Sequence, residues 1–241
     1  MKQAFLTKVA GTQAVIERVA EKFSPAVCLS SLGAEDMVLT DIILARKLGI
    51  DIVVLDTGRL HADTLALVDT IRSRYGYDVR IERPDPLALQ EYVALHGADA
   101  LYRTQELRRR CCEIRKVQPL ARALAGKRAW ITGMRREQTT TRGEVAVEEF
   151  DAAHGLAKFN PLADWTEVDV WGYLRSRSVP YNRLYDQGYR SIGCAPCTRP
   201  VLPTEDSRAG RWWWESDERR ECGLHLAHDG TPRRAKETTA L

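Results

Sequence analysis

Short apolar runs alternate with helical patterns over the first two thirds of the chain. Four runs have the length and composition of buried strands, at residues 26–29, 50–56, 79–82 and 129–132. Two segments between them have helical periodicity, at about residues 34–48 and 61–75. This alternation predicts an α/β fold, a parallel twisted sheet with helices on both faces.

Ligands of such sheets bind beyond the carboxyl ends of the strands, where loops and helix N-termini converge. Three loops meet this description, at residues 30–33, 56–58 and 133–136. The first is neither a dinucleotide glycine fingerprint nor a Walker loop, and an ordinary N-cap serine explains it equally well. An Asp-Thr-Gly turn often only ends a strand. The loops therefore indicate a place for a ligand without identifying it.

The chain has 241 residues, of which 44% are hydrophobic, enough for one sizeable core. From about Pro200 the sequence becomes polar and charged, interrupted by Trp212–Trp214, a run that we expect to pack against the domain. We predict an α/β domain over residues 1–200 and a C-terminal tail over residues 201–241. The absence of a signal-like segment and of an 18-residue apolar run predicts a soluble, cytoplasmic protein with no membrane partner.

The net charge of +3 does not require nucleic-acid binding. The distribution of the cations is more informative, because many lie close to cysteine or glycine motifs: Arg108–Arg110, Arg115, Lys116, Arg135, Arg136, Arg208 and Arg211. Such local clusters suit a small anionic substrate, although a duplex-binding face also collects arginines. We expect no nucleic acid as partner.

Four cysteines form two pairs, Cys111 with Cys112 and Cys194 with Cys197. In a reducing compartment, clustered cysteines are more often metal ligands or redox catalysts than disulfides. Four thiolates bind an iron–sulfur cluster or zinc, and adjacent cysteines are awkward for tetrahedral zinc, which favours a cluster. The alternatives are a redox-active Cys-X-X-Cys pair and two unrelated helix cysteines, and each explains one pair only. Cys28, in an apolar run, is a buried hydrophobic residue of a strand.

The sixth cysteine, Cys222, lies in the polar tail with His225 three residues further on. A thiol becomes a nucleophile when neighbouring cations lower its pKa, and the cations of an anion site have this effect if the tail docks there. His225 orients the thiol, holds an anion or is solvated. The alternative is an ordinary surface cysteine.

Taken together, these motifs resemble those of the assimilatory sulfonucleotide reductases, specifically the bacterial adenylyl-sulfate (adenosine 5'-phosphosulfate, APS) reductases. The matching segments follow the family's order and are residues 30–37, 55–61, 111–116, 132–136, 193–199, 208–214 and 221–225. The paired cysteines and the Glu-Cys-Gly-Leu-His segment are together the most specific of them. The resemblance implies an adenine nucleotide alpha hydrolase-like fold with a C-terminal tail that carries the nucleophile.

The resemblance also implies an oxidoreductase of sulfate assimilation and cysteine biosynthesis. A [4Fe-4S] cluster is implied on Cys111, Cys112, Cys194 and Cys197. Cys222 would attack the sulfur of APS, release AMP and keep the sulfonate as S-sulfocysteine, from which thioredoxin would liberate sulfite. Because thiols supply both electrons, we expect the cluster to act structurally and electrostatically. A homo-oligomer is an expectation at the family level.

The same resemblance assigns the remaining site residues. Adenosine is expected against two loops, at Ser30, Ser31, Gly33, Asp56, Thr57 and Gly58. The phosphate and sulfate need cations, and those nearest the motifs are Lys116, Arg136, Arg142, Arg208 and Arg211, which would stabilise the charge that develops on the leaving AMP. Lys116 links cluster and substrate electrostatically if residues 112–116 form one helical turn. Lys116 and His225 are thus expected to assist Cys222 in catalysis.

Three other functions compete with this interpretation. A reductase of the 3'-phosphorylated substrate, PAPS, typically has the tail cysteine without the four others, and dual specificity stays open. A tRNA-thiolating ATP pyrophosphatase should have a Ser-Gly-Gly-X-Asp-Ser loop, where this chain has a different sequence at residues 30–36. A zinc-stabilised nucleic-acid-binding module would show salt-dependent binding to oligonucleotides.

Overall fold

The computed structural model describes residues 2–138 and 145–215. Its six strands are β1 Ala26–Ser30, β2 Ile50–Leu55, β3 Arg80–Glu82, β4 Ala129–Ile131, β5 Glu148–Asp151 and β6 Leu156–Phe159. Its α-helices are α1 Lys2–Lys22, α2 Ala34–Ala45, α3 Ala62–Tyr75, α4 Pro86–His96, α5 Gln105–Cys112, α6 Gln118–Leu124 and α7 Glu167–Ser176. In this part of the chain, no helix is long and apolar enough to cross a membrane.

The strands form one sheet in the order β3-β2-β1-β4-β6-β5. All neighbouring strands are parallel except β5 and β6, which pair antiparallel at one edge. The predicted parallel sheet is therefore confirmed for five strands, and the sheet as a whole is mixed. The antiparallel strand was not predicted, because β5 has the sequence Glu-Glu-Phe-Asp and lacks an apolar run.

Helices cover both faces of the sheet, as predicted. In β1, Ala26 and Cys28 face the larger core together with residues of α1, α2, α3 and α7. Val27 points to the opposite face, where it packs with Trp130 and with three residues of α6. This alternation follows from the two-residue period of a strand. Each fully buried aliphatic side chain contributes roughly 1.5–3 kcal/mol to folding.

The strand order reverses direction between β1 and β4. From β1 the chain proceeds outward through β2 and β3, and it returns to the other side of β1 as β4. A crevice for a ligand opens at the carboxyl ends of strands where the order reverses. The loop after β4 touches the first turn of α2 there, since an added Cβ at Gly133 would lie 2.5 Å from Asp36 Oδ1 and 2.9 Å from Cβ of Glu35. Only glycine permits this approach.

The segment from α5 to α6 is helical throughout but widens into a π-helix at Glu113–Val117. The N–H of Gln118 bonds to the carbonyl of Glu113, five residues earlier. Pro119 has no N–H to donate to the carbonyl of Arg115, which disfavours regular α-helical bonding here. The predicted link from residue 112 to residue 116 thus runs along a widened turn, an irregularity that is frequent at functional sites.

Candidate active site

A cleft of about 300 Å³ opens where the strand order reverses. It is large enough for a small organic ligand. Seven residues predicted from the sequence line it: Ser30, Ser31, Gly33, Thr57, Lys116, Arg208 and Arg211. The structure thus brings together segments that are distant in the sequence.

The loop after β1 is shaped by Asp36. Both the backbone N–H and the hydroxyl of Ser31 donate to Asp36 Oδ2, at 2.7 and 2.6 Å. The hydroxyl of Ser30 accepts from the N–H of Leu32 at 3.1 Å. Burial raises the pKa of Asp36 to about 6, although the Ser31 hydrogen bonds oppose this shift. The N-cap of α2 is Gly33 and not a serine, so the N-cap interpretation of these serines does not apply.

The loop after β4 contributes Arg135 to the cleft. Its guanidinium donates to Glu35 at 2.9 Å and to Glu137 at 2.6 Å, and it is almost fully buried. The predicted Arg136 is not among the lining residues, because it donates to the carbonyl of Val145 at 2.8 Å and pairs with Asp164. Arg135 directly precedes a 3-10 helix that begins at Arg136, so the two adjacent arginines point in different directions, which the sequence motif does not reveal.

Cations line the cleft on the side of the 190–211 segment. Arg211 is 7% exposed and donates through Nη1 to the carbonyl of Ile192 at 3.0 Å. Its Nε is buried and has no hydrogen-bond partner within the described residues. Arg190, which the sequence reasoning missed, also lines the cleft and pairs with Glu167 at 3.1 Å. No sequence motif had distinguished Arg190 from other surface arginines.

The three predicted residues of the loop after β2 have different roles: two shape the turn and one lines the cleft. Asp56 accepts from the N–H of Gly58 at 2.9 Å and from Arg83 at 3.1 Å, so it shapes the turn. Gly58 adopts the left-handed conformation with φ 68°, which favours glycine. Of the three predicted residues, only Thr57 lines the cleft, and its hydroxyl also lies 3.2 Å from Cys194 Sγ.

Beside the cleft, the two cysteine pairs line one small cavity, here called the thiol cavity. Its four cysteines are free thiols that are 6–7% exposed: Cys111, Cys112, Cys194 and Cys197. Across residues 2–138 and 145–215, no three His, Cys, Asp or Glu side chains could hold a metal ion together. The four thiols thus line one cavity without forming a three-ligand metal site among the described residues.

Cations also line the thiol cavity: Arg59, Arg108, Arg115 and Lys116. Burial raises the pKa of Cys111, which the charge of Arg115 opposes. Burial and then the charge of Cys194 raise the pKa of Cys197 to about 11, while Lys116 and Arg211 act in the opposite direction. Without a ligand, the thiols of Cys111 and Cys197 are therefore protonated at neutral pH. Lys116 lines both cavities, and the electrostatic link between cluster and substrate stays a prediction.

The tail segment closes the thiol cavity. Arg108, whose role the sequence left open, is 1% exposed and bonds both carboxylate oxygens of Glu215, at 2.5 and 2.9 Å. Its guanidinium also lies 4.8 Å from the ring of Trp212. Trp212 is fully buried and Trp213 is half-exposed, so part of the tryptophan run packs inward as expected. Arg109 and Arg110 are exposed.

Three predicted site residues lie outside the described residues: Arg142, Cys222 and His225. The assignment of Cys222 as nucleophile stays a prediction, as do the roles of the other two. Among the described residues of the tail, Trp212 lines the thiol cavity, and Glu215 pairs with Arg108, which also lines it.

Residues 25–200 match the family model of the phosphoadenosine phosphosulfate reductase domain. The chain is 54% identical over 219 residues to adenosine 5'-phosphosulfate reductase of Burkholderia cepacia. The aligned region covers 91% of this chain and 88% of that protein. The reductase of the same name from Allochromatium vinosum is 52% identical over 221 residues, with coverage of 91% and 86%.

Solved structures give the same picture of the fold. A phosphoadenylyl-sulfate reductase from Candida auris, in a phosphate complex, has a TM-score of 0.68 at 28% identity and covers 79% of this chain and 90% of its own. An NH3-dependent NAD synthetase from Campylobacter jejuni has a TM-score of 0.52 at 10% identity, covering 76% and 77%. The second likeness concerns the fold alone.

Proposed function

Because the chain belongs to the family of PAPS and APS reductases, we propose that it reduces APS to sulfite and AMP in sulfate assimilation. Thioredoxin is the proposed reductant and Cys222 the proposed carrier of an S-sulfocysteine intermediate. The observation that supports this most directly is the adjacency of the cleft and the thiol cavity, with Lys116 lining both.

The cleft has the two chemical halves that APS requires. The loops after β1 and β4 offer a polar, buried wall for the nucleoside, with Ser30 and Gly33 among its residues. The cations Lys116, Arg208 and Arg211 lie along the cleft from two segments of the chain and suit the phosphate and the sulfate. Charge-assisted hydrogen bonds to such anions are about twice as strong as neutral ones.

The proposed reaction divides a two-electron reduction into two displacements. The Cys222 thiolate attacks the sulfur of APS, the bond from sulfur to the phosphate oxygen breaks, and AMP leaves with the electron pair. Lys116, Arg208 and Arg211, which line the cleft, would stabilise the charge on that oxygen. One thioredoxin thiolate then attacks Sγ of Cys222 and expels sulfite. The second thioredoxin thiol resolves the mixed disulfide, so that the dithiol supplies both electrons.

The thiol cavity has the donor set that a [4Fe-4S] cluster needs. Its donors are four buried thiols that form no disulfide and line one cavity, and the adjacent Cys111 and Cys112 are awkward ligands for a single tetrahedral zinc ion. Cys111, Cys112, Cys194 and Cys197 would hold the cluster. When bound, it would keep these cysteines deprotonated and fix the adjoining loops. Lys116 and Arg115 would balance its negative charge from the protein side.

APS is the preferred substrate in this proposal, rather than PAPS. Carboxylates line the cleft near the loops after β1 and β4: Glu35, Asp36, Glu137 and Glu167. The nearest cation, Arg135, already pairs with two of them. An additional 3'-phosphate on this side would meet like charges, which disfavours its binding.

Intact-protein mass spectrometry tests the proposal. Anaerobically purified, iron-loaded protein is mixed with APS, and in parallel with PAPS, without thioredoxin. We expect a mass gain of one sulfonate group on the peptide that contains Cys222, release of AMP, and a larger yield from APS. Cys222→Ser should give no adduct, and the matched control Cys28→Ser, in the core of β1, should keep it. No adduct from either nucleotide on fully iron-loaded protein would refute the reductase function.

A further inference from the structure

Gly193 precedes Cys194 and lies against the end of the Arg211 side chain. An ideal Cβ at position 193 would lie 2.6 Å from Cζ and Nη2 of Arg211 and 2.9 Å from Nη1. Carbon atoms in van der Waals contact are about 3.5–4.0 Å apart. The guanidinium therefore occupies the space that any side chain at position 193 would need.

The same guanidinium is held from two further directions. Nη1 donates to the carbonyl of Ile192 at 3.0 Å, and Cζ lies 4.6 Å from the centre of the Trp212 ring. Both Gly193 and Arg211 line the cleft. The Nε of Arg211 is buried and lacks a hydrogen-bond partner among the described residues, so one of the five N–H donors of this cleft-lining guanidinium is unpaired.

An added methyl group at position 193 would move the side chain of Arg211 rather than the backbone. The conflicting atoms are the far end of a flexible side chain, and Gly193 does not adopt the left-handed conformation that disfavours alanine. Gly210 differs, because a Cβ there would lie 2.3 Å from the backbone carbonyl oxygen of Arg199. Alanine is thus compatible with the fold at position 193 but not at position 210.

We propose that Gly193 is a positioning residue, whose missing side chain lets the Arg211 guanidinium take the orientation that binds the anionic part of the substrate. The role of Arg211 as an anion ligand rests on the proposed function. Because Gly193 is bonded to Cys194, the same turn places a thiol of the thiol cavity and a cation of the cleft. Gly193 therefore contributes to the geometry of the cleft as well as to the turn that carries Cys194.

Binding measurements on the iron-loaded full chain test this role. Gly193→Ala, Arg211→Ala, the double variant and the control Gly49→Ala are prepared in a Cys222→Ser background, so that APS binds without reacting. A Cβ at Gly49 meets nothing within 4 Å. We expect Gly193→Ala to weaken APS binding roughly ten- to a hundredfold, as expected for a lost charged hydrogen bond. The double variant should bind like Arg211→Ala, and Gly49→Ala like the parent.

Three outcomes would overturn the proposal. The first is unchanged APS binding in Gly193→Ala, and the second is a loss of APS affinity in the double variant that exceeds the loss in Arg211→Ala. The third is loss of iron in Gly193→Ala, because it would mean that the Cys194 turn moves instead of the Arg211 side chain. Inorganic pyrophosphate serves as a second probe. If the parent binds pyrophosphate but not APS, the proposed function fails, and the role of Gly193 is then tested by comparing pyrophosphate binding in the parent and the four variants. If it binds neither, Arg211 is not an anion ligand.

Discussion

The cleft and the thiol cavity are neighbours, but they are built in different ways. The cleft lies at the carboxyl ends of the strands. The loops that follow β1, β2 and β4 form one part of its wall, and residues of the 190–211 segment form another. Gly133, after β4, lies against Asp36 in the first turn of α2. The thiol cavity lies beside the sheet and is assembled from the end of α5, the turn at residues 194–197 and the tail segment. No strand carries one of its cysteines.

Different forces hold the two cavities. Parallel strand pairing positions the loops of the cleft, and this pairing involves many backbone hydrogen bonds within a buried core. The thiol cavity depends on a few contacts between distant segments, among them the bond from the N–H of Trp212 to the carbonyl of Cys197 at 3.2 Å. The buried pair of Arg108 and Glu215 is another. We therefore expect perturbations of the thiol cavity to leave the cleft folded.

Removal of one thiol should have the largest effect. In Cys194→Ser we expect loss of iron and of APS reduction, because loss of an outer-shell partner alone costs about 10- to 100-fold in metal affinity and a ligand costs at least as much. AMP binding should persist, although weakened through the adjoining Gly193. Iron per chain and AMP affinity are measured side by side. Cys28→Ser is the matched control, and equal iron loss in both variants would contradict the assignment.

The buried ion pair should rank second. Arg108→Met leaves Glu215 buried without its cation, a change that typically costs about 3–5 kcal/mol. Thermal unfolding followed by circular dichroism, together with the rate of iron loss to a chelator, reports the effect. The neighbouring Arg109→Met alters an exposed side chain and should change stability by no more than about 0.5 kcal/mol. Similar shifts in both variants would show that the pair does not hold the tail segment.

The cleft and the thiol cavity also differ in how well the sequence predicted them. The strands and loops of the cleft were predictable, because apolar periodicity is a local signal and loops such as residues 30–33 follow the strands directly. The gathering of the cysteines was predicted from their number and from the resemblance, not from any local pattern. The burial of Arg108 depends on a contact 107 residues away and leaves no trace in its neighbours. The choice between Arg135 and Arg136 likewise depends on tertiary packing.

Substitution of Lys116 tests the proposed electrostatic link between the cleft and the thiol cavity. Since it lines both, Lys116→Ala should lower kcat/KM for APS roughly 10- to 100-fold, the effect of losing one charged hydrogen bond. Iron content should stay at the parental level, because four thiols remain. Lys22→Ala, at the exposed end of α1, provides the control. Unchanged kinetics in Lys116→Ala would remove this residue from the site.

The smallest effect concerns the cleft alone and comes from Asp36. Its pKa of about 6 in the folded protein exceeds the ordinary value of 3.8, mainly because the carboxyl is buried. The folded state therefore binds this proton more tightly than the unfolded state does. The resulting stabilisation is complete below the unfolded pKa and is lost as the pH rises through the folded pKa.

Asp36→Asn should abolish this pH dependence without disturbing the loop. Both donors of Ser31 bond the same oxygen, Oδ2, and the carbonyl oxygen of an asparagine placed there accepts both. We expect the free energy of unfolding of the parent to fall by about 1 kcal/mol relative to that of the variant between about pH 5 and pH 7. Urea unfolding of both proteins at each pH measures this difference. A difference that is constant over this range would mean that Asp36 titrates normally. The wall of the cleft would then be more hydrated than its buried carboxyl indicates.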